Sequence, residues 1–420
     1  MSKKVNPNIP QLRFPDFEGS WKTESIQSLL DRNIIIEHLD GNHGELYPRS
    51  EEFSDEGIPY ISANDLDGQN VNLNNSKKLP IERARLFKKG IGRSGDVIFA
   101  HNATVGTTGI LKTELEFVIL STSVTYYRCD LSQLNNQFLL YSFNTSYFVR
   151  QFSRVMSQST RNQVPITTQR KFYLHFPKIA EQEKIASFLG AVDRRLTQLR
   201  RKQELLQTYK RGVMQKIFSQ QIRFTQPDGS PFPDWETDRI DNFLVRYIDP
   251  IDVQSDTEYK QIGIRSHGKG IFHKDPVTGK ALGNKRVYWV HPKSFVVNIV
   301  FAWEQAVALT SSEEEDFIAS HRFLMFLPKK SRVNLEFILL FFLGSRGKSL
   351  LELASPGGAG RNKTLGQQNF SELKITLPKI EEQEKIANFL AAIDRKIETL
   401  SRKIDQTEQF KKGLLQKMFV

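Results

Sequence analysis

One stretch of this sequence occurs twice. Residues 177–186 read PKIAEQEKIA and residues 378–387 read PKIEEQEKIA, and the two copies continue without a gap to residues 218 and 419. Because a duplicated segment builds the same local structure in both places, this repeat constrains the fold more than any other feature. We therefore expect two related halves, each with a variable part followed by a better-kept copy of this segment.

Weaker similarities precede each copy and support duplication of a whole unit. They pair residues 97–100 with 299–302, 138–140 with 337–339, 161–162 with 361–362, and the phrases around Trp21 and Trp235. The predicted segments are a variable domain at 1–176, a helical region at 177–221, a second variable domain at 222–377 and a second helical region at 378–420.

The repeated segments have the periodicity of long helices. Apolar residues recur at steps of three and four over 185–217 and over 386–418, a narrow stripe typical of a coiled coil. Two helices of about 40 residues would each extend about 60 Å. We expect them to pair antiparallel; separate packing of each helix on its own domain is the alternative. Lys210 and Lys411 interrupt the stripes at equivalent positions, so we expect both helices to loosen there.

The variable parts have a different pattern. Short β-type runs, such as residues 96–99, 124–127 and 286–290, are separated by Gly, Asn and Asp, and helical stretches follow near 133–155 and 333–353. The predicted fold class is therefore α+β, with two pseudo-repeated mixed α+β domains separated by a long antiparallel two-helix coiled coil.

Composition limits the class of protein. With 39% hydrophobic and 25% charged residues, the chain has the composition of a packed globular protein. The single cysteine, Cys129, cannot form an internal disulfide or a thiolate-rich metal site. No signal-peptide pattern is visible, and the longest apolar run, 337–343, is far too short to cross a bilayer. We expect a cytoplasmic protein with no membrane partner. The net charge of +12 indicates nucleic acid as a partner, an acidic partner, or simply a basic surface.

Motifs that would indicate catalysis are scarce. The sequence has no Walker-type phosphate loop, no methyltransferase glycine fingerprint and no nucleophile elbow. Asp249 followed by Glu258 and Lys260 resembles the carboxylate and lysine pattern of metal-dependent nucleases, but this short pattern has no counterpart in the first half. We expect no catalytic, cofactor-binding or metal-binding residues. A stand-alone nuclease or methyltransferase, and a coiled-coil scaffold that binds no DNA, stay open as alternatives.

Positive charge is concentrated in a few places. Residues 177–221 carry half of the net excess, and each variable domain has one dense basic stretch, at 77–93 and at 260–293. Cations offset phosphates while amide and guanidinium groups discriminate base edges. These stretches and the polar loops before each long helix are therefore candidate DNA contacts, with a solvated face and an ordinary linker as the alternatives. The candidate residues are Lys77, Lys78, Arg83, Arg85, Lys88, Lys89, Arg93, Arg161, Asn162, Arg265, His267, Lys269, Lys285, Arg286, Arg361, Asn362 and Lys363.

The duplicated block at 176–189 and 377–390, followed in both copies by Asp-Arg, resembles the conserved helical regions of the specificity subunits of type I restriction-modification systems. Residues 57–66, GIPYISANDL, and 94–99, SGDVIF, are similar to phrases in that family's target recognition domains. The second domain departs from the first, with YKQIGIR at 259–265 in place of the GIPY phrase. In this family the two domains differ because each reads a different half of the target.

The resemblance implies a non-catalytic DNA-binding subunit. Each variable domain would read one half of a bipartite double-stranded DNA target, and the helix pair would hold the halves apart by a fixed, unread gap on the order of one helical turn of DNA, roughly 34 Å. It further implies two modification subunits that methylate adenine with S-adenosylmethionine, and two restriction subunits that use ATP and Mg²⁺ to translocate and cut. Those cofactors would belong to the partners, which we expect to dock on the outer faces of the long helices.

Overall fold

The structure is a computed structural model. It describes residues 8–41, 46–158, 162–329, 332–357 and 363–420. The chain forms two compact units, Met1–Arg200 with Arg402–Val420, and Arg201–Ser401. It passes from one unit to the other twice, after Arg200 and after Ser401, both times inside a long helix. Each unit therefore combines one variable domain with parts of both long helices.

In the first unit, helix starts are encoded locally. The Asn135 side chain accepts a hydrogen bond from the backbone N–H of Phe138 and so caps the third helix. The elements are β1 (Lys22–Ser25), α1 (Ile26–Asp31), β2 (Ile35–Asp40), β3 (Ile58–Ile61), β4 (Lys77–Leu79), α2 (Ile81–Ala84), β5 (Ile91–Gly92), β6 (Val97–Ala100), β7 (Thr108–Ile110), β8 (Val118–Leu120), β9 (Val124–Cys129), α3 (Asn136–Phe143), α4 (Ser146–Ser157), α5 (Ile166–Gln169), β10 (Tyr173–Phe176) and the start of α6 (Ile179–Phe218).

The second unit repeats this order. Its equivalent cap is Asn334, whose side chain accepts from the N–H of Phe337. The elements are β11 (Glu236–Arg239), α7 (Ile240–Phe243), β12 (Leu244–Tyr247), β13 (Glu258–Ile264), β14 (Ile271–Thr278), α8 (Gly279–Leu282), β15 (Val287–Trp289), β16 (Phe295–Asn298), β17 (Val307–Leu309), β18 (Phe317–Ser320), β19 (Phe323–Pro328), α9 (Leu335–Leu343), α10 (Ser345–Leu353), α11 (Gln367–Glu372), β20 (Lys374–Leu377) and α12 (Ile380–Met418), whose C-terminal part returns to the first unit.

Both units contain the same two four-stranded sheets. The inner sheets have the orders β2-β9-β6-β7 and β12-β19-β16-β17, and the outer sheets have the orders β4-β3-β8-β5 and β14-β13-β18-β15. Each outer sheet has one parallel pair, β3 with β8 and β13 with β18. A two-stranded ladder joins β1 to β10 and β11 to β20. The duplication therefore extends over the whole domain, and the α+β fold class is confirmed.

The weaker sequence similarities are only partly correct. Residues 138–140 and 337–339 lie at equivalent places in α3 and α9. The counterpart of β6 is β16, because each is the strand between the same two inner-sheet neighbours. Residues 299–302 come after β16, in a turn. The likeness of 97–100 to 299–302 is therefore one of apolar composition and not of structural position.

Each domain is layered. In the first unit, α3, α4 and α6 pack on one face of the inner sheet around residues such as Phe99 and Leu189. The other face of the inner sheet packs on the outer sheet through residues such as Ile98 and Leu120, and α2 covers the far face of the outer sheet. The second unit has the same three apolar layers. Alternate strand residues point to opposite faces, which is why Ile98 and Phe99 belong to different cores.

Within each unit the parts of the two long helices run antiparallel, as predicted. In the first unit Lys411 Nζ lies 2.7 Å from Asp193 Oδ1, and in the second Lys210 Nζ lies 2.6 Å from Asp394 Oδ1. The expectation that the helices loosen at these two lysines is therefore wrong. Each lysine forms an ion pair with the aspartate that follows the repeated block, so the polar interruption is satisfied across the helix pair.

The repeated Glu-Gln pair is buried and ties each helix start to its domain. The Gln182 side chain accepts from the N–H of Asn135 and donates to the carbonyl oxygen of Pro177; Gln383 makes the same contacts, with Asn334 and Pro378. The glutamates accept from an arginine and a tryptophan in both units: Arg13 and Trp21 donate to Glu181, and Arg223 and Trp235 donate to Glu382. These contacts explain why both halves open with similar phrases.

Candidate nucleic-acid interface

In both units a basic segment connects the two edge strands of the outer sheet, and in the second unit this segment is the later part of the 260–293 stretch, which begins in β13. The segment runs from β4 through α2 to β5 in the first unit, and from β14 through α8 to β15 in the second. Ala84 and Phe87 pack on the far face of the outer sheet, while Arg85 and Lys88 beside them are exposed. The 77–93 stretch therefore corresponds to residues 271–289 and not to the 265–269 loop. In the first unit it presents cations on the side away from the long helices.

Some of the predicted cations are engaged inside the first unit. Arg83 Nε lies 2.5 Å from Glu52 Oε1, and Lys89 Nζ lies 2.8 Å from Asp40 Oδ1. Lys78 donates to a backbone carbonyl oxygen. These three side chains stabilise the loops that they touch, so their charge is already partly offset. The candidates whose side chains are exposed are Lys77, Arg85, Lys88 and Arg93.

In the second unit the fold brings four candidates together. Arg265, His267 and Lys269 are exposed on the loop between β13 and β14. The backbone N–H of His267 donates to the carbonyl oxygen of Glu304 at 2.7 Å. The N–H of Gly268 donates to the carbonyl oxygen of Gln305 at 3.1 Å. Lys363 extends over the Trp303 ring, with Nζ 5.4 Å from the ring centre. The turn at 302–305 therefore joins the 265–269 loop to Lys363.

The remaining candidates lie elsewhere. Lys285 and Arg286 are exposed just before β15, which is the edge of the outer sheet opposite β14. In the first unit Asn162 is exposed beside Gln163, which forms a β-bridge with Asn102. Three candidates, Arg161, Arg361 and Asn362, lie outside the described residues.

The structure also indicates residues that the sequence patterns missed. Asn102 and Trp303 stand in the turns between the central strand of each inner sheet and its hairpin partner. Each turn has a non-glycine residue in the left-handed region, Ala103 at φ 61° and Gln305 at φ 57°, a conformation that such residues seldom adopt. No sequence motif identifies either turn. Each becomes evident only in the structure, where a polar loop contacts it.

The nuclease-like pattern does not form a site with a lysine poised beside carboxylates. Lys260 extends over the Phe317 ring, with Nζ 5.7 Å from its centre, and Asp249 accepts a hydrogen bond from Tyr247 Oη. Across the residues that the structure describes, no group of three His, Cys, Asp or Glu side chains could hold a metal ion. In the same part of the chain, no helix is long and apolar enough to span a bilayer.

A buried polar network lies behind the loop of Asn162. Gln169 Oε1 accepts from Thr125 Oγ1 at 2.9 Å and from Tyr127 Oη at 2.7 Å, and lies 3.3 Å from His38 Nε2. Burial lowers the pKa of His38 from 6.5 to about 3, an effect that the contact with Gln169 opposes only in part. His38 is therefore neutral at pH 7. Gln169 also donates to the carbonyl oxygen of Val164, which connects the network to this loop.

Comparison with known proteins gives this arrangement a family. The family model described as the type I restriction modification DNA specificity domain matches residues 36–207 and 276–409, one segment for each half of the chain. The chain belongs to this family. The resemblance predicted from the repeated block is thereby confirmed, and this protein is a type I specificity subunit.

Individual relatives are distant in sequence. A Methanocaldococcus jannaschii protein, provisionally named the specificity subunit of type I restriction enzyme MjaX, is 24% identical over 337 residues, 76% of each chain. The S subunit of a type I restriction-modification system from M. genitalium aligns over 98% of this chain and 99% of its own, with a TM-score of 0.57 and 13% identity. A chain from a structural study of assembly and conformational transition of the type I system aligns over 94% and 96%, with a TM-score of 0.54 and 14% identity.

Proposed function

We propose that this specificity subunit reads a bipartite double-stranded DNA target, with one unit on each half, and performs no chemistry itself. The observation that carries the proposal is the repetition of one sheet topology whose connecting segments expose different polar residues in the two units. The first unit offers Arg85 and Lys88 just after the short helix α2, and the second offers Arg265 and Lys269 on the loop between β13 and β14. Equal scaffolds with unequal contact residues suit two different half-sites.

Methylation and cleavage are assigned to partner subunits. Two modification subunits would supply adenine methylation with S-adenosylmethionine, and two restriction subunits would supply ATP- and Mg²⁺-dependent translocation and cutting. The purified chain, incubated with DNA, S-adenosylmethionine and Mg²⁺, should neither methylate nor cut. Product formed by this chain alone would favour the stand-alone enzyme.

A segment exchange tests the division of labour between the units. Residues 60–161 would be replaced by the corresponding segment of another system, and the methylated sequence would be read by methylome sequencing of cells that carry the intact system. We expect one half of the recognised sequence to change while the other half and the gap stay the same. A change in both halves would contradict reading by separate units.

A paired insertion tests the gap. Because the chain crosses between the units in both long helices, a lengthened connection needs seven extra residues after Arg200 and seven after Ser401. Seven helical residues add about 10 Å, which is roughly 3 base pairs of DNA. We expect the unread gap to grow by about that amount with both half-sites preserved. An insertion after Leu199 alone lengthens only one helix and should disturb the assembly, which makes it the matched control.

A further inference from the structure

In the second unit, three further loops meet at the turn between β16 and β17. The backbone N–H of Ile299 donates to the carbonyl oxygen of Arg322 at 2.9 Å, and the carbonyl oxygen of Ile299 accepts from the N–H of Leu365 at 2.8 Å. The 265–269 loop holds the other end of the turn through Glu304 and Gln305. We call these four segments, residues 265–269, 299–306, 321–322 and 363–365, the turn cluster.

The turn cluster is positively charged. Its basic residues are Arg265, Lys269 and Arg322, which are exposed, and Lys363, which is half-buried. Glu304 is the one acidic residue in the sequence of these segments, and its carboxylate accepts from the hydroxyl of Ser266 at 2.8 Å. Arg322, in the turn between β18 and β19, is a cation that the sequence patterns missed.

Phe301 places an apolar ring within this cluster. The residue is 39% exposed. Its backbone N–H donates to the carbonyl oxygen of Asn298 at 3.2 Å, and its carbonyl oxygen accepts from the N–H groups of Glu304 at 3.0 Å and Ala306 at 3.1 Å. Because both backbone groups are hydrogen-bonded, the ring is held on a fixed turn among cations.

The first unit has the same connections and a different residue at this place. At the start of its turn, His101 donates through its N–H to the carbonyl oxygen of Ser123, and its own carbonyl oxygen accepts from Val164. These are the contacts that the first residue of the second unit's turn makes. Two residues further on, the first unit exposes Ala103 where the second has Phe301. One backbone arrangement thus presents a methyl group in one unit and an aromatic ring in the other.

Resting on the proposed function, we propose that Phe301 is a specificity-determining residue that contacts the 5-methyl group of a thymine in the half of the target read by the second unit. A phenyl ring has no hydrogen-bond donor or acceptor, and the thymine methyl is the apolar group that a base edge presents in the major groove. The cations of the turn cluster would bind the neighbouring phosphates and so position the ring. The match to the DNA specificity domain, residues 276–409, includes this turn.

Insertion of the ring between base pairs fits less well. A side chain that unstacks bases has to enter the base stack as a wedge, whereas most of Phe301 is covered by its own domain. The hydrogen bonds of its backbone also keep the residue in the turn. Contact with a methyl group on a groove edge needs only the exposed part of the ring.

The test titrates DNA with the full-length chain purified together with the modification subunit of its own system. Methylome sequencing gives the recognised sequence, and each thymine of the second unit's half-site is replaced in turn by uracil, which lacks only the 5-methyl group. One replacement should weaken binding by the wild type about fourfold, the effect of returning one methyl group to water. Phe301→Ala should bind thymine and uracil DNA equally, with about the affinity of the wild type for uracil DNA.

The controls separate a base contact from a phosphate contact. Phe301→Ala should leave the slope of log affinity against log salt unchanged. Arg322→Ala should reduce that slope by about 0.9 and keep the preference for thymine. Ile222→Ala, which truncates an apolar side chain of similar exposure after α6, 42%, should change neither. Circular dichroism confirms that each variant is folded.

The outcomes separate this inference from the proposed function. If no uracil replacement in that half-site weakens wild-type binding, or if Phe301→Ala keeps the full preference for thymine, Phe301 reads no methyl group and the inference is overturned. If Phe301→Ala weakens binding to thymine and uracil DNA alike and abolishes a fluorescence increase of 2-aminopurine in the half-site, the ring is a wedge and the inference is again overturned. If the wild type does not prefer the methylome sequence over unrelated DNA, the proposed function itself fails, and the inference fails with it.

Discussion

On the face of the inner sheet that packs against the helices, equivalent positions are occupied by hydrogen-bonded polar side chains in the first unit and by packed aromatic rings in the second. Tyr127 of the first unit donates to the buried Gln169. Its counterpart is Phe326, because Tyr127 pairs with the first residue of β6 and Phe326 pairs with the first residue of β16. The Phe326 ring contacts Phe370, with ring centres 5.1 Å apart. The two units thus share one strand arrangement but differ in the side chains that fill this part of the core, so core residues can change while strand pairing is kept.

The contacts that join each domain to the helices have not diverged in this way. Glu181 and Glu382 are both buried beside an arginine and a tryptophan. Gln182 and Gln383 both accept from the backbone N–H of the asparagine that caps a preceding domain helix, α3 or α9. The comparison teaches that the duplicated part is the attachment of a domain to the helix pair, while the interior and exterior of each domain vary.

The largest expected effect comes from breaking an attachment in one unit only. Glu181→Ala removes the carboxylate that pairs with the largely buried Arg13 guanidinium. Loss of one partner of a buried ion pair lowers the free energy of unfolding by about 3–5 kcal/mol. Urea unfolding monitored by hydrogen exchange should show the first unit destabilised by that amount and the second little changed. The exposed Glu183→Ala is the control. Equal destabilisation of both units would show that they unfold as one.

The ion pairs across the helices should differ in strength. The Asp193 side chain is 10% exposed and also accepts from Tyr141, whereas the Asp394 side chain is 49% exposed. Asp193→Asn should lower the free energy of unfolding of its unit by about 1.5–3 kcal/mol, the usual contribution of a hydrogen bond to a charged group, and Asp394→Asn by less than about 1 kcal/mol, because water screens that pair. The two variants are each other's control, measured by chemical denaturation. Equal costs would mean that burial does not decide their contribution.

His38 should make the first unit more sensitive to acid. Its pKa is about 3 in the folded chain against an ordinary 6.5, so below pH 6.5 the unfolded chain takes up a proton that the folded chain does not. The stability contributed by neutral His38 is complete above pH 6.5 and falls by about 1.4 kcal/mol for each pH unit below it, down to about pH 3.

The measurement compares wild type with His38→Gln at pH 7 and pH 5. We expect the wild-type first unit to lose about 2 kcal/mol more than the variant over this range. The second unit has Arg246 at the equivalent strand position, so its stability should not show this component. An identical pH dependence in wild type and variant would contradict burial of a neutral imidazole.

The smallest effects concern the exposed cations that are candidate DNA contacts in the two units. Arg85→Ala with Lys88→Ala, and Arg265→Ala with Lys269→Ala, should each weaken DNA binding several-fold. The slope of log affinity against log salt should fall by about 0.9 for each phosphate contact removed. Lys348→Ala, on the exposed side of α10, is the control. A salt slope that changes for one unit only would show that the units contact the DNA backbone unequally.

The local sequence could not predict which of the basic side chains are exposed. The basic stretch at 77–93 is evident from composition, yet Arg83 and Lys89 are occupied by Glu52 and Asp40, which are distant in the sequence. In the second unit, no spacing in the chain connects the 265–269 loop with Lys363, and the turn at 302–305 that joins them has no recognisable motif.

The amino-acid sequence by itself determined the duplication, the two long helices, their antiparallel pairing and the family, because these depend on periodicity and on identity between copies. Only the tertiary structure decided that β6 corresponds to Phe295–Asn298, that Lys210 and Lys411 are paired and not loosening points, and which cations stay exposed. The physical reason is that helical periodicity is a property of neighbouring residues, whereas strand partners, ion pairs and exposure are set by residues that meet only after folding.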